Sequence, residues 1–112
     1  MTKTLQIGIQ EKFLDALTDT GDNSSSVFTL PSNFASLGRP LVWQSVVAGS
    51  PSAINLQLLG ALNDVSAEYA LLDESTNASG EMRHIQPINV RCLKVRQVSR
   101  TGGTSVTVTV NI

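Results

Sequence analysis

The chain predicts an all-β fold, an antiparallel β-sandwich with jelly-roll topology preferred over immunoglobulin-like, and three observations carry that expectation. From Val27 onward the sequence breaks into seven short apolar runs, each closed by Pro, Gly, Asn or Ser at nearly even spacing, the punctuation of strands joined by turns. Within the runs the residues alternate. In "TSVTVTVNI", Val106, Val108, Val110 and Ile112 fall on one face and Ser105, Thr107, Thr109 and Asn111 on the other, the period of a half-buried strand. No run after Val27 carries a convincing helical spacing of apolar residues, and 112 residues suffice for one core without disulfide or metal staples.

The elements follow in order. "TLQIGIQ" alternates Leu5, Ile7 and Ile9 as a short strand does, and in "EKFLDALTD" the positions Ile9, Phe13, Ala16 and Leu17 are spaced for about two turns of helix. "DTGDNSSS" is a run of turn formers unable to build a core. Residues 1–22 are therefore expected to be an N-terminal arm and linker, and residues 23–112 the sandwich. "SVFTL" is then closed by Pro31, "PLVWQSVVA" by "GSPS", "INLQLLGAL" by "NDVS", "EYALLD" by "ESTNASG", "EMRHIQ" by Pro87, and "INVRCLKVRQV" by "SRTGG". Ile54, Leu56, Leu58 and Leu62 share a face, with Gly60 among them marking a bulge or a close backbone approach. Val90 and Cys92 alternate against Arg91, Leu93 and Val95, which predicts a central strand covered on both faces.

Charge is unevenly placed. All nine acids precede Met82, while Arg83, Arg91, Lys94, Arg96 and Arg100 follow it, so the last third carries +5 and the rest −6. No aromatic is interleaved with those cations for bases to stack on, so nucleic acid is not predicted as a partner. The expectation is instead that the basic strands meet the acids of "NDVSAEYALLDES", within the chain or across a subunit boundary. No run approaches the roughly 20 apolar residues that span a bilayer, and "MTKTLQIGIQEKF" lacks the apolar stretch of a signal peptide. Synthesis in the cytoplasm of the cell that makes it, with no membrane partner, is the expectation.

Catalytic chemistry finds no frame. His84 is the single histidine, with no HExxH or CxxC beside it, and is read as a half-exposed strand residue. No serine stands in a GxSxG elbow. Asp64, Glu68, Asp73, Glu74 and Glu81 lack the aromatic platforms of a glycosidase cleft and the spacing of an EF-hand, so they read as solvated loop acids. Cys92 is alone, which excludes an internal disulfide, and is read as a buried thiol. Neither enzyme, cofactor nor metal is predicted. Trp43, between Val42 and Gln44 in an apolar strand, is expected in the core; a sugar-binding reading would need Trp43 and Tyr69 exposed and close together.

From about residue 41 to 110 the succession "WQSVVAGSPSAINLQLLGALNDVSAEYALLDESTNASGEMRHI", "NVRCLKV" and "SRTGGTSVTVTV" resembles the small β-sandwich virion structural proteins of tailed bacteriophages, of capsid decoration or cement type. Tyr69 stands where that pattern often has Trp, and Cys92 where it often has Tyr. The resemblance implies a non-enzymatic subunit on the virion's capsid surface that binds the major capsid protein and stabilises the assembled shell. It also suggests a homo-oligomer, a trimer suiting the three-fold positions of an icosahedral shell. Leu5, Ile7, Ile9, Phe13 and Leu17 of the arm, with Thr107 and Thr109 of the last strand, are the expected capsid or inter-subunit contacts. The alternative is a phage tail or baseplate accessory module that binds carbohydrate.

Overall fold

The structure, a computed structural model, describes residues 3–32, 34 and 38–112. Ten strands run in order: β1 (Lys3–Thr4), β2 (Glu11–Leu17), β3 (Asn23–Ser24), β4 (Phe28–Thr29), β5 (Leu41–Ala48), β6 (Ala53–Ala61), β7 (Ala70–Ser75), β8 (Glu81–Ile85), β9 (Cys92–Thr101) and β10 (Ser105–Asn111), with one 3-10 turn at Ser66–Glu68. Among the described residues these strands form a four-stranded sheet ordered β2-β10-β5-β8, and a six-stranded sheet ordered β1-β4-β9-β6-β7 in which β3 also pairs with β9. All pairings are antiparallel except β1 with β4. Taking β3 and β4 together as one broken strand and β1 as an added edge strand, the remaining strands form the eight-strand jelly-roll arrangement, β2-β10-β5-β8 over β3/β4-β9-β6-β7.

The alternation of β10 is obeyed to the last residue: Val106, Val108, Val110 and Ile112 are buried while Thr107, Thr109 and Asn111 face outward. Between the sheets these valines meet Leu41 and Trp43 of β5, Leu56 and Leu58 of β6, and Leu93 and Val95 of β9 in one core cluster. Strand β9 lies between β4 and β6, as expected of a central strand, and Cys92 is buried and free. At Gly60 a Cβ would stand 2.6 Å from Leu72 Cδ1 and 3.2 Å from Val90 Cγ2, the close approach that its place in an apolar strand predicts. Leu62 departs from expectation. It follows the end of β6 and is 64% exposed, because the chain turns away before the alternation can carry it inside.

The N-terminal segment differs from its expectation, and the reason is physical. Residues 11–17 are a strand, not a helix, paired with β10 through two register shifts. Each shift is a bulge that inserts one unpaired residue and resets which side chains point inward. Phe13 and Leu14 are consequently both buried, with Leu17 partly so, and the spacing 13, 14, 17 mimics a helical face. Phe13 stacks on Phe28 of the opposite sheet with ring centroids 4.0 Å apart. Leu5 is 1% exposed and joins the same core. Residues 3–17 are thus woven into the sandwich rather than forming an arm off it; residues 1 and 2 lie outside the described residues.

"DTGDN" is likewise a pinned loop, held by two buried polar side chains of β9. Gln97 donates from Nε2 to the carbonyls of Asp19 and Gly21, both at 2.8 Å. Arg100, 4% exposed, donates to the carbonyls of Thr18 at 2.9 Å, Asp19 at 3.3 Å, Leu17 at 3.5 Å and Gly102 at 2.9 Å. A register shift between Asn55 and Leu56 places Val98 as the extra residue of β9, and this rephasing turns Arg100 inward.

At the β7–β8 side, charge meets charge within the chain, as expected of the acids of "NDVSAEYALLDES" but only for Asp73; Asp73 and Glu81 lie in strands and are partly buried, so neither is the solvated loop acid expected. Arg83 makes a two-pronged contact with Asp73 at 2.8 and 2.9 Å and reaches Glu81 at 3.3 Å. The Trp43 indole donates to Asp73 at 2.8 Å. Burial alone would raise the Asp73 carboxyl, but Arg83, the Trp43 indole and the Glu74 amide together outweigh it and hold the group below its ordinary 3.8. A carboxylate depressed on folding stabilises above its unfolded pKa, and that contribution is lost as pH falls through the folded one. The melting temperature should therefore fall as pH drops below about 4, and Asp73→Asn should flatten that part of the profile, as thermal melts between neutral and acid pH would show.

Candidate functional site

The outward face of the four-stranded sheet is the candidate site. Side chains there are set by register: Thr109 of β10 lies opposite Lys12 of β2 and Gln44 of β5, and Gln44 lies opposite Met82 of β8. In the next row Asn111 lies opposite Val42, and Val42 opposite His84. These rows, closed at one end by Gln10, enclose an open groove of about 320 Å³ lined by Gln10, Val42, Gln44, Met82, His84, Thr109 and Asn111. The alternation that buries Trp43, Val108 and Val110 is what turns Gln44, Thr109 and Asn111 out.

The chemistry of this face is neutral. Strands β10, β5 and β8 direct no Asp, Glu, Lys or Arg onto it, and charge appears only at the β2 margin, where Lys12 approaches Asp15 at 3.8 Å. Amides of Gln10, Gln44 and Asn111, each both donor and acceptor, alternate with apolar surface from Val42, Val46 and Met82. Val46 and Met82 are 56% and 55% exposed. The six-stranded sheet is different. Its outward row pairs Glu74 with Gln57 and Gln57 with Arg96, and Arg96 grips Asp22 at 2.6 and 2.9 Å. One face carries charged side chains, with Arg96 and Asp22 in an ion pair, and the other offers hydrogen-bonding groups between exposed apolar side chains.

The expected contact residues separate on this map. Thr109 lines the groove. Thr107 lies beside it, but its Oγ1 accepts the Ala16 N–H at 3.0 Å, so its hydroxyl serves the bulge of β2. Ile7 and Ile9 are 37% and 50% exposed, in a turn where the Gly8 N–H donates to the Ile112 carbonyl at 3.0 Å. Leu5 and Phe13, expected at a contact, are instead buried in the core, turned inward by the backbone pairing that follows β1 and by the bulged pairing of β2, and Leu17 is partly buried against that core. His84 is exposed, as read, but stands in the groove. Gln10, Gln44, Val42 and Met82 escaped the sequence reading. Their signal was the outward phase of β5 and β8, which acquires meaning only once β5 is known to lie between β8 and β10.

Trp43 is 1% exposed, as expected of a core aromatic. Tyr69 is partly buried under Lys94, whose Nζ stands 4.3 Å from the ring centroid, and its hydroxyl donates to Asp64 at 2.9 Å. The two therefore do not form an exposed sugar platform. Among the described residues no three His, Cys, Asp or Glu side chains converge as metal ligands.

No protein-family model matches the chain, and no curated protein does. Solved structures are similar in fold. The SPBc2 prophage-derived protein YomS superposes with a TM-score of 0.53 over 95% of this chain and 97% of its own, at 16% identity. The K3 cleaved adhesin domain of Lys-gingipain from Porphyromonas gingivalis W83 gives 0.56 over 90% and 70%, at 12% identity. A family 11 carbohydrate-binding module from Clostridium thermocellum, solved with a β-1,3-1,4-mixed-linked tetrasaccharide, gives 0.50 over 92% and 80%, at 11% identity. At these identities the likeness is one of architecture, and it agrees with the strand order: the chain is a jelly-roll β-sandwich.

Proposed function

We propose that the protein is a non-enzymatic virion structural subunit of a tailed bacteriophage, a capsid decoration or cement protein that docks on the assembled coat through the outward face of β2-β10-β5-β8. The observation that carries this reading is that face itself: an ordered sheet surface onto which β10, β5 and β8 direct no Asp, Glu, Lys or Arg, mixing amides with exposed Val46 and Met82. Interfaces are depleted of charge at their centres and enriched in Met, and a sheet already ordered by its core loses little entropy on docking. The phage-type motifs of residues 41–110 and the architecture shared with a prophage-derived protein support the address.

A cation placed in such a face has to be desolvated on docking. Val46→Lys with Met82→Lys should lower binding to shells lacking this protein by at least about tenfold, roughly 1.4 kcal/mol. Gln57→Lys, on the opposite sheet, should leave binding unchanged. Co-sedimentation with purified shells measures both, and equal binding by all three proteins would refute the assignment.

A carbohydrate-binding accessory role is the second reading, and the groove favours it in that Gln10, Gln44, Thr109, Asn111 and His84 present hydrogen-bonding groups beside Val42 and Met82. It lacks the stacking aromatic such sites use, since Trp43 is buried and Tyr69 is covered. Titration with soluble glycan fragments, followed by the shift of the His84 ring resonances, separates the two readings.

A further inference from the structure

The exposed large apolar side chains among the described residues fall in two places. Ile7, Ile9, Val46 and Met82 lie on or beside the face just described, whereas Leu62, Val65 and Leu71 lie where β6 turns into β7 in the other sheet. These last three are 64%, 48% and 53% exposed, and Leu71 is extended inward along the surface by its cross-strand neighbour Leu59.

This second patch is shaped in advance. The Val65 N–H donates to Asn63 and the Glu68 N–H to the Val65 carbonyl, both at 2.8 Å, so the connection is a pair of tight turns. Tyr69 fastens it by its hydrogen bond to Asp64 and its contact with Lys94. Apolar side chains held this way lose little freedom when covered.

Its flanks carry opposite charges. On the β9 side Arg91 is exposed, its backbone N–H donating to the Ala61 carbonyl at 2.9 Å, immediately before Leu62. On the β7 side Glu68 is exposed. Among the described residues neither is in an ion pair within the chain. An apolar centre with a free cation on one flank and a free anion on the other complements itself: a second copy, rotated about an axis through the patch, covers the leucines and brings its Glu68 toward Arg91. Closed symmetry is the usual outcome of such a contact. We infer that the β6–β7 end is a self-association surface whose partner is a second copy of this chain. The inference is independent of the capsid reading, since it involves no shell.

Light scattering behind size exclusion on the purified full-length chain tests it. The expected mass is that of two chains or more, three if the axis is a three-fold. Leu62→Asp with Leu71→Asp should return the protein to the mass of one chain at the same concentration, with its far-UV circular dichroism unchanged because both positions are exposed. Glu68→Arg and Arg91→Glu should each weaken association, and the two together on one chain should restore it. A wild-type mass of one chain up to about 1 mM would overturn the inference. So would an oligomer that survives Leu62→Asp with Leu71→Asp, or one lost instead in Met82→Lys.

Discussion

Trp43→Ala should remove about 3–5 kcal/mol from the unfolding free energy, the largest single-residue effect expected in this protein. The side chain is 1% exposed between the sheets, within the cluster of Leu41, Leu56, Leu58 and Val110. Truncation leaves a cavity in a core too tightly packed to collapse fully. It also takes the indole donor from Asp73, leaving that carboxylate to Arg83 and the Glu74 amide. Against a total of about 5–15 kcal/mol for a domain of this kind, the variant should sit near the edge of stability. Trp43→Phe should cost distinctly less, since the ring keeps most of its contacts and only the hydrogen bond is lost. Urea unfolding of the three proteins measures the series, and a cost for the alanine variant below about 1 kcal/mol, the level of surface substitutions, would place Trp43 outside the load of the core.

Arg100→Met should destabilise by about 2–4 kcal/mol, and its damage should be local before it is global. Methionine keeps much of the volume but none of the donors, so the carbonyls of Thr18, Asp19 and Gly102 lose a charged partner together. The loop that this guanidinium gathers follows directly on β2, the edge strand whose pairing with β10 is already interrupted by two bulges. Once the loop is free, β2 is anchored only by its own ladder and by Phe13 and Leu14. Amide exchange in residues 11–21 should accelerate well before exchange in β6 or β9, because local openings draw on the least-anchored unit. Uniform acceleration across all strands would show instead that the loop and the core open as one.

How much of this was legible in the sequence depends on whether a residue answers to its own strand or to a neighbour's. The valines of β10, the leucines of β6 and the core place of Trp43 follow from alternation, and alternation survives wherever pairing is regular. It fails at bulges. Ile9, Phe13, Ala16 and Leu17 have the spacing of a helix, but two extra residues in β2 reset the phase so that Phe13 and Leu14 are the ones buried, and nothing in "EKFLDAL" announces an insertion whose cause is the register with β10, some 90 residues on. Arg100 was legible as a cation but not as a buried clamp, since only the extra residue Val98 turns it inward. The groove was half legible: Thr109 was singled out from its own strand, while Gln44, Met82 and His84 join it through sheet order, which periodicity does not encode. Asp73 of "LLDES" found its partner in Arg83 because opposite charges on strands joined by a short connection are readily brought together.

Docking through the four-stranded sheet is tested most directly by co-sedimentation of the wild-type protein with coat shells that lack it. We predict saturable binding, at a fixed ratio of this chain to coat subunits and insensitive to moderate salt, because charges on β10, β5 and β8 play no part in the face. Failure to bind intact shells at any concentration, or binding that never saturates and disappears with added salt, would contradict it.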